Sequence, residues 1–360
     1  MPSQMVNREF WQGRRVFLTG HTGFKGGWLS AWLLEMGAHV SGYALPPEPG
    51  PGFFSLCGLE ARLQSQFGDI LDAGALTAAL EKSQAEIVFH LAAQPLVRRS
   101  YAQPAATFAT NVLGTVNLLE SVRSAPAVRA VVVVTSDKCY EDQEWVWGYR
   151  ETDPLGGHDP YSASKACAEL VTASYRSCFF EGREPAVGIA SARAGNVFGG
   201  GDWAEDRLVP DAIRAIAAQE RLAVRNPGAI RAWQHVLDAV GGYLLLAERL
   251  RVAPADWSRP FNFGPREEDA VPVAQFCDLF FEHWQTSGWQ DVSLRGAPRE
   301  TVTLRIDATR ARHELRWRQR LLLPDAIRYA VDWYRSALAS PSADAMFELS
   351  RTQIRNYMAL

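Results

Sequence analysis

Short apolar runs recur through the first half of the chain, and most are separated by stretches whose apolar positions repeat every three to four residues. The runs at about Arg15–Thr19, His39–Tyr43, Leu63–Gly68, Ile87–Leu91, Ala130–Thr135 and Ala186–Ala192 predict strands. The intervening periodicity predicts helices, among them one from about Gly27 to Met36 and a long one over Ala105–Ser124. Strands alternating with helices predict an α/β fold: a doubly wound parallel sheet that binds ligands at the carboxyl ends of its strands. After Arg193 the pattern loosens. It predicts helices near Val209–Gln219, His235–Arg251 and Leu323–Leu338, and short strands near Leu222–Arg225 and Phe261–Phe263. The expected division is a first lobe over residues 1–195, rejoined by 233–264, and a smaller, mostly helical lobe over 196–232 and 265–360. Pro46–Gly52 reads as a surface loop.

Chemistry-bearing residues gather where the first half's strands end. Gly20-His21-Thr22-Gly23-Phe24-Lys25-Gly26 follows the first strand and opens a helix, a turn that lets backbone N–H groups and a helix N-terminus face a pyrophosphate. Tyr161-Ser-Ala-Ser-Lys165 places a phenol and an amine one helical turn apart on one face. There the ammonium is expected to lower the phenol's pKa for proton exchange with a hydroxyl. The fifth strand ends in Thr135-Ser136-Asp137-Lys138, an acid and an amine side by side.

Composition narrows the class. With 360 residues, 47% of them hydrophobic, the chain can bury a large core and form two lobes. A net charge of −3 without a basic stripe argues against a general nucleic-acid binder. No apolar run approaches a membrane span, and the start Met-Pro-Ser-Gln-Met-Val-Asn-Arg lacks a signal peptide's apolar stretch. Five cysteines without a Cys-x-x-Cys, and scattered histidines, indicate neither a disulfide framework nor a metal site, so a cytoplasmic protein is expected.

The Gly-x-x-Gly-x-x-Gly spacing together with Tyr-x-x-x-Lys resembles the short-chain dehydrogenase/reductase superfamily in its extended, nucleotide-sugar-modifying branch. That resemblance implies a Rossmann-type first lobe binding NAD and a second lobe binding a nucleotide sugar. The NAD residues it implies are Gly20–Gly26, Asp69 and Ile70 near the adenine, and the small side chains of Leu91-Ala92-Ala93-Gln94. Asn111, Thr135, Tyr161 and Lys165 complete the set, with Asn111 propping the active-site helix. Ser41-Gly-Tyr43 lacks the carboxylate that usually holds the adenosine ribose, so the grip on NAD is expected to be looser.

The run Thr-Ser-Asp-Lys-Cys-Tyr narrows the resemblance to the hexose 4,6-dehydratases, and looks like those acting on CDP-glucose. Gly20–Gly27, His90–Tyr101, Ala192–Trp203 and Arg231–Asp238 are similar to the same group. The implied reaction oxidises sugar C4, with Tyr161 as base, then eliminates water across C5 and C6 and returns the hydride to C6. Asp137 is implied as the acid and Ser136 as the group orienting the sugar. Lys138 is either a neutral C5 base or a charged stabiliser of the enolate. Gln94, Ser136, Arg193, Asn196, Arg207, Arg231 and His235 are the substrate-binding candidates, the arginines suiting phosphate. A 4-epimerase or reductase, and a non-catalytic dinucleotide sensor, are the alternatives. The resemblance also implies a homodimer through the helices carrying Tyr161–Phe180 and Ala105–Ser124.

Overall fold

The computed structural model describes residues 5–286, 288–293 and 303–360; Met1–Gln4 of the start discussed above, and positions 287 and 294–302 of the second lobe, lie outside them. β1 (Arg15–Thr19), β2 (His39–Ala44), β3 (Gln64–Phe67), β4 (Ile87–His90), β5 (Ala130–Val134) and β6 (Gly188–Arg193) join the short strand Phe261–Asn262 in one sheet. From one edge to the other, the order is Phe261–Asn262, β6, β5, β4, β1, β2, β3, and every pairing is parallel. The valine run of β5 is buried on both faces, as a central parallel strand covered by helices requires. Chain order reverses between β1 and β4, whose ends meet with Thr19 opposite His90, and a crevice opens there.

Alternate side chains feed two cores. Val16, Leu18, Phe89, Val132 and Val134 face the helices Phe24–Glu35 and Val236–Val252 and the C-terminal helices. Phe17, Val88, Val131 and Val133 face the helices Ala73–Ser83 and Gly114–Ser124. Two helix expectations are corrected. The helix after the glycine turn begins at Phe24, not Gly27, because Gly23 takes an extended N-cap conformation and its carbonyl accepts the Gly27 N–H at 2.7 Å. The stretch expected as one helix over Ala105–Ser124 is Pro104–Phe108, a π-helical turn Ala109–Leu113, and Gly114–Ser124. The wide turn brings Asn111 inward, where it is buried.

The chain after β6 carries more strand than the sequence suggests: Val197–Phe198 pairs with Gln234–His235, Ile230–Ala232 with Ala270–Pro272 and Thr303–Leu304, and Leu222–Val224 with Trp289–Asp291. Leu208–Ala217 and Val273–Trp284 are its helices. The final helix, Ala343–Ala359, returns to the first lobe, where Tyr357 packs edge-on to Trp32 at 5.4 Å. Among the described residues no helix is long and apolar enough to cross a membrane.

Candidate active site

The chain leaves β5 into a single 3-10 turn, Asp137–Cys139, capped by Ser136: its hydroxyl accepts the Lys138 N–H at 3.2 Å and donates to the Asp137 carboxylate at 3.0 Å. Opposite this turn runs the helix Pro160–Tyr175, started by Pro160 and by the Asp159 carboxylate accepting the Ser162 N–H at 2.9 Å. Its first turn is held from outside. Ser100 Oγ accepts the Tyr161 N–H at 3.2 Å, and Asn111 Nδ2 donates to Ser164 Oγ at 2.8 Å. Tyr161 thereby meets Ser136 and Asp137, with Lys165 one turn further along the same helix, each of the four between 3% and 8% exposed. Lys138 is half-buried.

The backbone of Gly195 closes the site behind Asp137. A Cβ at that position would lie 1.7 Å from the carboxylate oxygen Oδ2, so only glycine leaves room for the acid where it stands.

Electrostatics departs from the expectation drawn from spacing. Burial pushes the Tyr161 phenol up to about 12, and contact with the Ser136 hydroxyl and the charge of Arg207 oppose that rise. The Arg207 guanidinium is thus a cation acting on the phenol that spacing did not point to. Burial lowers Lys165 to about 8 against the opposing charge of Glu169. Lys25, expected only as part of the glycine turn, sits among these groups. It is lowered to about 8 by burial and then by Arg207 and Lys165, with Asp137 and Asp202 opposing.

The glycine turn forms a cradle with no room for side chains. Gly20 has φ +77°, and a Cβ there would lie 2.6 Å from the backbone nitrogen of Ala92; one on Gly26 would lie 2.1 Å from the Gly20 carbonyl oxygen. The amino end of a twelve-residue helix opens directly above. This geometry fits a dinucleotide pyrophosphate. His21 is turned inward, bonded to Ser65 at 2.7 Å and lowered to about 4 by burial, while the Thr22 hydroxyl donates to the Leu45 carbonyl. Asp69 is exposed at the end of β3, one carboxylate oxygen accepting the Leu71 N–H, and Ile70 packs against Gly114. Leu91, Ala92 and Ala93 lie half-buried along the crevice.

Four candidate assignments are corrected. Arg193 is no substrate ligand: its side chain is buried, paired with Glu169 at 2.7 Å and hydrogen-bonded to the Tyr140 hydroxyl at 2.8 Å. His235 is a core residue, fully buried with its ring edge-on to Trp28, Phe198 and Tyr329. The Thr135 hydroxyl does not face the crevice but donates to Glu169 at 2.5 Å. Gln94 turns back on its own loop, its amide bonded to the Leu96 carbonyl and Thr107, while its backbone N–H is held by Asn111. Of the rest, Arg207 pairs with Asp202 at 2.7 Å, and Arg231 bonds the Ile230 carbonyl from Ile230–Ala232. Asn196 follows β6 at φ +45°, with a buried Nδ2 that has no partner among the described residues.

Sequence reasoning missed Gly195, Asp202 and Glu169. A signal for Glu169 existed, since it lies four residues after Lys165 and so on the same helix face. Gly195 and Asp202 carry no local pattern that announces them.

A crevice at the β1/β4 reversal, with tyrosine and lysine facing the β5 tip from one helix, defines an extended short-chain dehydrogenase/reductase. Within that class, the chain belongs to the GDP-mannose 4,6 dehydratase family, whose model matches residues 17–329. It is 46% identical, over 99% of both chains, to the CDP-glucose 4,6-dehydratase of Salmonella typhimurium LT2. It is 28% identical to a dTDP-glucose 4,6-dehydratase of Xanthomonas campestris pv. campestris, covering 88% of this chain and 92% of the other. The fold matches that of the dTDP-glucose 4,6-dehydratase of Streptomyces venezuelae, solved with NAD bound, at a TM-score of 0.76 and 24% identity, covering 91% and 98% of the two chains.

Proposed function

We propose that this protein converts CDP-glucose to CDP-4-dehydro-6-deoxyglucose and water. The observation that carries the proposal is the full-length similarity to a CDP-glucose 4,6-dehydratase, joined to a buried Tyr161 that meets Ser136 and Asp137, with Lys165 buried one turn along its helix. Gly20–Gly26 and Leu91–Ala93 would hold NAD, which when bound would supply the acceptor and donor of a hydride. Tyr161 takes the proton of the 4-hydroxyl, and Ser136 holds that oxygen. Lys138 removes the C5 proton made acidic by the C4 ketone, and Asp137 protonates the departing C6 oxygen, so water leaves across C5 and C6; Lys138 then returns its proton to C5 as the hydride reaches C6. Lys165 fixes the cofactor and the phenol.

Arg207 and Arg231 bind the pyrophosphate of the sugar nucleotide from the second lobe. The buried Asn196 amide, which has no partner among the described residues, supports a polar ligand group at the end of β6. The lobes divide as residues 1–195 with 233–264 for NAD, and 196–232 with 265–360 for the nucleotide sugar. Two copies pair through the helices at 104–124 and 160–180, which carry the exposed apolar side chains Leu113 and Leu170. Five free cysteines and a sugar-nucleotide substrate suit the cytoplasm.

The test is incubation with CDP-glucose and NAD. A product lighter by one water, with no net build-up of NADH, is expected. A mass-neutral conversion would establish an epimerase instead, and turnover of only dTDP-, UDP- or GDP-sugars would overturn the choice of base.

A further inference from the structure

Behind the reacting groups lies a charged network that takes no part in the chemistry above. Glu169 and Arg193 are 4% and 2% exposed and pair through Oε2 and Nη2 at 2.7 Å. Glu169 Oε1 accepts from Thr135 at 2.5 Å, and Oε2 also accepts from Ser191 at 2.6 Å. One carboxylate thus ties three elements together. Thr135 precedes Ser136 and Asp137, Ser191 and Arg193 belong to β6, and Glu169 rides one turn beyond Lys165 on the tyrosine helix. Arg193 continues the network outward: it donates to the Tyr140 hydroxyl at 2.8 Å, and that hydroxyl donates to Asn262 at 2.6 Å. The turn Asp137–Cys139 is therefore held between Thr135 and Tyr140 at its two ends.

We infer that Glu169 is the positioning residue of the site: it is the counter-charge that keeps Lys165 an ammonium ion, and the tie that fixes the β5 tip against the tyrosine helix. Its own chemistry suits the task. Burial works against the Glu169 carboxylate, yet Arg193, Ser191 and Thr135 hold its pKa below the usual carboxylate range, so it stays an anion where the enzyme works. Among the charges bearing on Lys165, Glu169 comes first, followed by Cys139. Other ionisable groups face this region. They are Lys25 from the glycine-turn helix, neutral His90 at the end of β4, Asp137 and Lys138 in the turn, Arg193 on β6 and Arg176 farther along the tyrosine helix. Glu120 on the neighbouring helix bonds Tyr175, and Arg98 and Arg99 turn away to Asp206 and Glu48. Removing the Glu169 charge leaves Lys165 with the burial that lowers it and with Lys25 nearby, and takes away the carboxylate one helical turn on, so its pKa falls.

The inference rests on the reading that Lys165 works as a cation, and its test does not need the substrate to be right. The chain holds four lysines, Lys25, Lys82, Lys138 and Lys165, so protein grown with lysine labelled at the side-chain 13Cε gives four titrating NMR signals. The Lys165 signal is assigned from a Lys165→Arg sample. Glu169→Gln should move the Lys165 midpoint down by about one pH unit or more, and Glu169→Asp should restore most of the shift. The double variant Glu169→Gln/Arg193→Met removes both charges, leaving neither ion buried alone, and it reports if the single change unfolds the protein. It too should lower the midpoint. In parallel, the alkaline limb of kcat/KM with CDP-glucose should move to lower pH by the same amount. Folded variants whose Lys165 signal titrates as in the parent, with only Tm reduced, would overturn the inference and leave Glu169 a plain structural ion pair. Absence of CDP-glucose turnover in the parent would instead bear on the proposed function and leave the NMR result standing.

Discussion

Two regions of this molecule bury carboxylates, and they treat them in opposite ways. At the β5 tip, Glu169 is matched by Arg193 and two hydroxyls, so a full negative charge survives at 4% exposure. On the helix Val236–Val252, Asp238 is fully buried, and the charge of Arg320 opposes but does not outweigh the effect of burial. Its Oδ1 accepts from the Arg320 N–H at 2.7 Å and the Tyr357 hydroxyl at 2.8 Å, while Oδ2 has no partner among the described residues. Burial pushes Asp238 up to about 7, and burial also raises Glu248, on the same helix, to about 7. Charge is retained beside the chemistry, where it orients and tunes other ions. Away from it, protonation relieves the desolvation that an anion would suffer.

The sharpest way to break the comparison is at the reacting end. Tyr161→Phe removes the hydroxyl proposed to take the C4 proton; kcat/KM should fall roughly 1,000-fold with Tm and NAD affinity nearly unchanged, measured by steady-state kinetics and dinucleotide titration. Gly195→Ala should come next. The added methyl occupies the place of the Asp137 carboxylate, so turnover should drop on the order of 100-fold, while the NAD Kd stays within about twofold of the parent. Unchanged turnover would show that Asp137 can retreat without loss. Lys138→Met tests the neighbouring role and should reduce turnover by about 10- to 100-fold. C4 oxidation, seen as NADH absorbance on adding sugar nucleotide, should persist in part, and solvent-deuterium exchange at C5 should vanish. Continued exchange would pass the base role to another group.

The scaffold end makes the smallest prediction, and its sign follows from the raised pKa. Asp238 binds its proton more tightly folded than unfolded, so its stabilising share is complete below about pH 4 and is lost as pH rises towards 7. Asp238→Asn keeps an acceptor for the Arg320 N–H and cannot ionise. Its Tm should therefore fall less between pH 5 and pH 8 than the parent's, a difference worth about 2 kcal/mol at the alkaline end. Parallel Tm curves would show that Asp238 does not titrate in that window.

The framework of the sheet was legible because parallel strands buried on both faces leave continuous apolar runs, as in Ala130–Val134, and glycine spacing marks the turn after β1. Tyr161 and Lys165 were legible because helix periodicity alone places them together. Other features were hidden because they depend on contacts between distant segments. Nothing local in Arg193 distinguishes a phosphate clamp from a partner for Glu169, and nothing near His235 reports the three rings around it. The helix break at Ala109–Leu113 escaped for a related reason: its sequence, Ala-Thr-Asn-Val-Leu, keeps helical periodicity, and the bulge is visible only where Asn111 reaches Gln94 and Ser164.

The bare backbone at Gly195 also constrains how this enzyme can be altered. A mutant library spanning the β6 exit would be rich in survivors at most positions but nearly empty at this one, because nineteen of the twenty choices collide with the acid. On the proposed assignment of Arg207 and Arg231 to the sugar nucleotide, laboratory evolution toward other substrates would travel through their two separate elements and leave the β5 tip as it stands.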